Sequence, residues 1–89
     1  MYRVMWGPEI IGPISKVYDG LREKDRERLM IALESLDARL LDDPMGLGES
    51  RSTPFVRVAI EGPLTITFHI DEALRVVRIS GVSFSRRKS

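Results

Sequence analysis

The stretch FVRVAIEGPLTITFHIDEALRVVRISGV, residues 55–82, decides the fold. Apolar side chains recur through it at every second position, the period of a strand with one covered face. Leu64, Ile66, Phe68 and Ile70 form the cleanest set, with Thr65, Thr67 and His69 between them. Upstream, Val56, Val58 and Ile60 read as one face of a strand over Phe55–Ile60, with Arg57 opposite. Downstream, Val77 and Ile79 share a face in a strand over Leu74–Val82, with Arg78 and Ser80 opposite. Gly62-Pro63 and Asp71-Glu72-Ala73 are short connections between these runs. The expectation is a three-strand antiparallel meander.

Toward the N-terminus the period changes. Tyr2–Trp6 has the aromatic and β-branched character of a short strand that stops at Gly7-Pro8. Ile10, Ile11, Ile14, Val17, Tyr18 and Leu21 have helical spacing, but Gly12-Pro13 interrupts it. That interruption predicts an irregular lead-in and a helix from about Pro13 to Gly20, since proline is tolerated in a first turn. From Lys24 to Asp42, Leu29, Leu33, Leu36 and Leu40 form an apolar stripe, with Asp25, Arg26, Glu27, Arg28, Glu34, Asp37 and Arg39 on the other side. This amphipathic helix of about 28 Å is long enough to cross a small sheet. Pro44 ends it, and DPMGLGESRSTP, residues 43–54, reads as an extended loop. The fold class is therefore α+β: a strand, two helices, then the meander, with both helices packed on one face of a four-strand sheet.

Composition narrows the classes of function. With 89 residues there is room for one core, expected over residues 1–82, with a basic C-terminal tail at 83–89. The hydrophobic share of 43% argues against wholesale disorder. There is no cysteine, which removes disulfides, thiolate metal sites and thiol catalysis and fits a cytoplasmic location. No apolar run has the length of a membrane span or a signal-peptide core, so no membrane association is expected. The net charge of +1 conceals an asymmetry: residues 1–50 carry seven basic and ten acidic side chains, and residues 51–89 carry seven basic and three acidic. Much of the acidic excess belongs to solvated helix faces.

With the helices on the apolar face, the polar face is free for a ligand. By alternation it presents Arg57, Thr65, Thr67, His69, Arg78 and Ser80. His69 is the only histidine, the residue type that exchanges protons near neutral pH. Two arginines beside it offer cations for phosphate or for an acidic partner. Their alternative is an ordinary surface pairing with Glu61, Asp71 or Glu72. Glu49 and Arg51 lie in the glycine-containing loop, where a site residue and a loop-ordering ion pair are equally natural. Arg86, Arg87 and Lys88 in the tail can attract phosphate without specificity.

Taken in order, several segments resemble the RelE/ParE superfamily, the toxic halves of type II toxin-antitoxin pairs. They are Tyr2-Arg3-Val4-Met5-Trp6, Leu40-Leu41-Asp42-Asp43-Pro44, Gly48-Glu49-Ser50-Arg51, Arg57, Pro63-Leu64 and Phe68-His69-Ile70-Asp71. The resemblance covers nearly the whole chain and points to a divergent branch. It implies a growth-inhibiting toxin or toxin-like protein that acts through a basic sheet face and is neutralised by a cognate antitoxin, as in plasmid stabilization. Ribonucleolytic members cut messenger RNA on the ribosome without a metal or a small-molecule cofactor. They require a base for the 2′-hydroxyl, cations for the charged transition state and an acid for the leaving oxygen. By position, Arg57, His69 and Arg78 would be the catalytic set. Glu49, Arg51, Thr65, Thr67, Arg86, Arg87 and Lys88 would be the binding set. The chain departs from the nuclease pattern at Thr65, where active relatives commonly place an arginine, and at Gly81-Val82-Ser83, where many end in a Gly-His-Arg type sequence. The ParE-like branch, which poisons DNA gyrase, tolerates such losses. A degenerate, non-toxic family member is the remaining reading.

Overall fold

A computed structural model describes residues 1–85. Strand β1 spans Arg3–Met5, helix α1 Pro8–Gly20 and helix α2 Glu23–Asp42. A 3-10 turn at Pro44–Gly46 leads into β2, Glu49–Ser50, followed by β3, Val56–Glu61, β4, Leu64–Asp71, and β5, Val76–Phe84. The class is α+β, as expected, but among the described residues the sheet has five strands rather than four, in the order β1-β5-β4-β3-β2. The added strand comes from the segment read as loop: Glu49 and Ser50 pair antiparallel with Val58 and Arg57. Only two residues long, it has no apolar alternation for a sequence reading to detect. The sheet is mixed, because β1 runs parallel to β5.

Helix α1 starts at Pro8, not near Pro13. Proline suits a first turn, where no intrahelical donor is required, and the Gly7 carbonyl accepts from the Ile10 and Ile11 amides at 2.9 Å. Pro13 sits inside the helix, on its exposed side. It removes one internal hydrogen bond, but burial of Ile10 and Ile14, one turn apart, holds the helix across it. Arg26 stitches the end of α1 to α2: its Nε donates to the Tyr18 carbonyl at 3.0 Å and Nη2 to that of Asp19 at 2.9 Å. Those carbonyls belong to the last turn of α1, where intrahelical donors run out.

Helix α2 buries Leu29, Ala32, Leu36 and Leu40, and Leu33 is half-buried beside them. Against this stripe stand Leu64, Ile66, Phe68 and Ile70 of β4 and Val77 and Ile79 of β5, all buried. Phe68 and Leu36 are wholly inaccessible at the centre. Burial of this kind is worth about 25 cal/mol per Å² and dominates the fold. Polar contacts fix α2 at both flanks. Trp6, half-buried at the end of β1, donates from Nε1 to Asp37 at 2.9 Å. Glu61, at the end of β3, accepts from Arg39 at 3.1 Å and Ser35 at 3.2 Å.

The third strand of the meander also differs from expectation. It starts at Val76 and runs to Phe84, with Leu74 and Arg75 in the turn before it. Arg75 has φ 56°, and its guanidinium stacks 5.3 Å from the Tyr2 ring centroid. Ser80 is the extra residue of a bulge, since Thr67 pairs with Gly81 while Phe68 pairs with Ile79. No helix among the described residues is long and apolar enough to cross a membrane.

Candidate functional site on the helix-free sheet face

The hairpin between β3 and β4 determines what this face displays. Its loop is the two residues Gly62-Pro63, and Gly62 has φ 56°, as a II′ turn requires at its first central position. Such a loop places Glu61 directly across from Leu64. Directly paired residues point to the same side of a sheet. Leu64 belongs to the core, so Glu61, Ala59 and Arg57 lie on the helix side, in register with Leu64, Ile66 and Phe68. Val56, Val58 and Ile60 therefore face out, in register with His69, Thr67 and Thr65. Ala59 is buried while Ile60 is 71% exposed.

This reverses the facing expected for β3 and removes Arg57 from the polar face. The guanidinium of Arg57 is engaged elsewhere. Nε donates to the Leu47 carbonyl at 2.8 Å, Nη2 to Gly48 at 3.0 Å and Nη1 to Pro54 at 3.3 Å. These carbonyls come from both ends of the segment 47–54, so Arg57 clasps the loop that carries β2. Gly48 makes the clasp possible: its φ is 68°, and a Cβ there would collide with the Val58 carbonyl oxygen. The Asp43 side chain accepts from the Gly46 amide at 3.2 Å and shapes the turn before it.

His69 and Arg78 do come together. They are directly paired across β4 and β5, both exposed, and Met5 of β1 is paired with Arg78 on the far side. Among the described residues the side chains of His69 and Arg78 make no hydrogen bond and no ion pair. Thr65 and Thr67 are on the same face, half-buried in the adjoining rows, opposite Ser83 and Gly81. Ser80, at the bulge, turns its hydroxyl back to the Thr67 carbonyl at 3.3 Å. Glu49 is in register with Val58 and joins this face at the β2 edge; Arg51 is exposed just beyond it, its amide bonded to the Val56 carbonyl at 2.7 Å. Arg86, Arg87 and Lys88 lie outside the described residues.

The arrangement can bind more readily than it can catalyse. One histidine beside one arginine supplies one proton-exchanging group and one cation, with the expected second cation turned to the other side. The aliphatic row Val56, Val58 and Ile60, which alternation assigned to the core, is instead an apolar strip on the helix-free face. The signal that would have located it is the two-residue length of the Gly62-Pro63 loop, which links the parities of the two strands. No group of three or more metal-ligating side chains is present among the described residues. A second surface, a shallow open groove lined by Tyr18, Glu23, Arg26, Glu27, Met30 and Ile31, lies on the helices, away from this face. Compared with models of known protein families, and with curated proteins, the chain matches none.

Proposed function

We propose that this chain is a toxin-like protein of the RelE/ParE kind, inhibiting growth by binding a macromolecular partner through its helix-free sheet face and neutralised by a cognate antitoxin. The observation that carries this reading is the uncovered His69–Arg78 pair beside the aliphatic strip of β3. A face combining cation, imidazole and branched apolar side chains is suited to a protein surface or a nucleoprotein. The candidate partners are the ribosome with its messenger RNA and DNA gyrase. Binding is favoured over messenger RNA cleavage because Arg57, the cation expected to support a cleavage transition state, is consumed by the Leu47, Gly48 and Pro54 carbonyls.

Inducible expression in a bacterial host tests the proposal. The wild-type chain is expected to arrest growth, and the His69→Ala/Arg78→Ala double variant to lose most of that arrest at equal protein level. Transcript mapping and a supercoiling assay then separate the targets. Harmless expression of the wild type, or arrest undiminished in the double variant, refutes the proposal.

A further inference from the structure

We infer that the helix-free sheet face is also a self-association surface, pairing two copies of this chain face to face about a two-fold axis parallel to β4. The inference rests on the sheet alone and does not require the toxin-like reading. Its starting point is the distribution of side-chain size. On this face β3 carries Val56, Val58 and Ile60, while β5 carries Gly81 and Ser83 in the rows opposite Thr67 and Thr65. A Cβ built on Gly81 meets only the Thr67 side chain among the described residues, at 3.7 Å, so Gly81 leaves room for a side chain approaching this row.

Strand order makes this unevenness self-complementary. β4 is the central strand, with β3 on one flank and β5 on the other. A two-fold axis along β4 lays β3 of one copy over β5 of the next. Val58 then projects toward the partner subunit's Gly81, and Ile60 toward the partner subunit's Ser83. Large side chains meet small ones in both rows, and each contact occurs twice by symmetry. Facing sheets stack with strand directions within about 30° of each other, so these rows stay opposed over a strand of this length.

Charge permits the same pairing. Among the described residues the face bears Arg3 and Arg78 against Glu49 and Asp71, with Arg51 at its edge, an excess of one positive charge that repels a second copy only weakly. The axis also brings Glu49, at the β2 edge, to a position diagonal to the partner subunit's Arg78. Strands of 3, 9, 8, 6 and 2 residues, at about 3.3 Å per residue and about 4.8 Å spacing, give a face of about 450 Å² per copy. Two such faces fall at the small end of specific interfaces, which sets the expectation of a reversible dimer with a dissociation constant of about 10–100 μM. Dimerisation would occupy His69 and Arg78, so it would compete with any other ligand of this face.

The test is sedimentation equilibrium of the full chain over a concentration series. The mass should rise from 10.1 kDa toward twice that value across the micromolar range. Val58→Lys introduces two charges into the symmetric interface and should raise the dissociation constant at least about 100-fold. Ile60→Lys, at a residue 71% exposed, should do the same without disturbing the fold, as circular dichroism will show. Ile31→Lys, equally exposed at 67% but in the helix groove, should leave dimerisation unchanged. Because the chain has no cysteine, Thr67→Cys can be linked by a short bismaleimide, and rapid formation of a covalent dimer is expected there and not at Ser15→Cys on α1. A mass constant at 10.1 kDa up to about 500 μM refutes the inference. So does a dimer that survives both lysine variants, or one that Ile31→Lys dissolves. A chain that dimerises yet is harmless on expression refutes the toxin-like reading and leaves this one standing.

Discussion

Replacing Arg57 with alanine separates a structural clasp from a free ligand cation. The guanidinium makes three hydrogen bonds to backbone carbonyls, at 2.8, 3.0 and 3.3 Å. Charged donors in buried sites contribute about 1.5–3 kcal/mol each, but Arg57 is half-exposed and the released carbonyls can reach water, so a value near 0.7 kcal/mol per bond is appropriate. The expected loss is about 2 kcal/mol, or about 10 °C in Tm for a domain of this size. Lysine at the same position keeps the charge but not the planar fork, and should recover less than half of the loss. Urea denaturation of wild type, Arg57→Ala and Arg57→Lys measures these differences. Amide exchange locates them: the Arg51 amide, bonded to the Val56 carbonyl at 2.7 Å, should exchange much faster, while α2 amides should follow only the global change. An arginine held ready for phosphate behaves differently, since its removal from a half-exposed site should change stability by no more than about 0.5 kcal/mol. A loss below that limit, or full rescue by lysine, refutes the clasp.

Two further substitutions test the supports of the same architecture. Gly48→Ala should cost at least about 2 kcal/mol by thermal or urea denaturation, because φ 68° disfavours any side chain and the new Cβ would meet the Val58 carbonyl oxygen. Trp6→Phe keeps most of the ring's packing but removes the 2.9 Å hydrogen bond to Asp37, with an expected loss of about 1 kcal/mol and a matching loss in Asp37→Ala that is not additive with it, as a double-mutant cycle will show.

What the sequence determined by itself is the set of elements with a strong period. The stripe of α2 is legible because Leu29, Leu36 and Leu40 return to one face of a helix, and β4 because Leu64, Ile66, Phe68 and Ile70 alternate without exception. From these two elements alone follow the α+β class, the helices on one face and the position of Thr65, Thr67 and His69 on the other. Periodicity works there because both elements bury a continuous apolar set against each other, so sequence and environment agree residue by residue.

Tertiary structure decided the rest. Val56, Val58 and Ile60 are as apolar as the core face of β4, and alternation alone cannot tell which side of β3 the core occupies. The choice is made by a two-residue turn that ties Glu61 to Leu64 and so turns the valines outward. It is made affordable by Ala59, small enough to sit buried on the helix side, and by Arg57, whose charge is satisfied by carbonyls of the loop rather than by solvent or ligand. The same register brings Arg78 beside His69 and assembles an apolar strip next to them. Local periodicity specifies that a strand has two faces; only the pairing with its neighbours, through hydrogen bonds and long-range burial, specifies which face meets water.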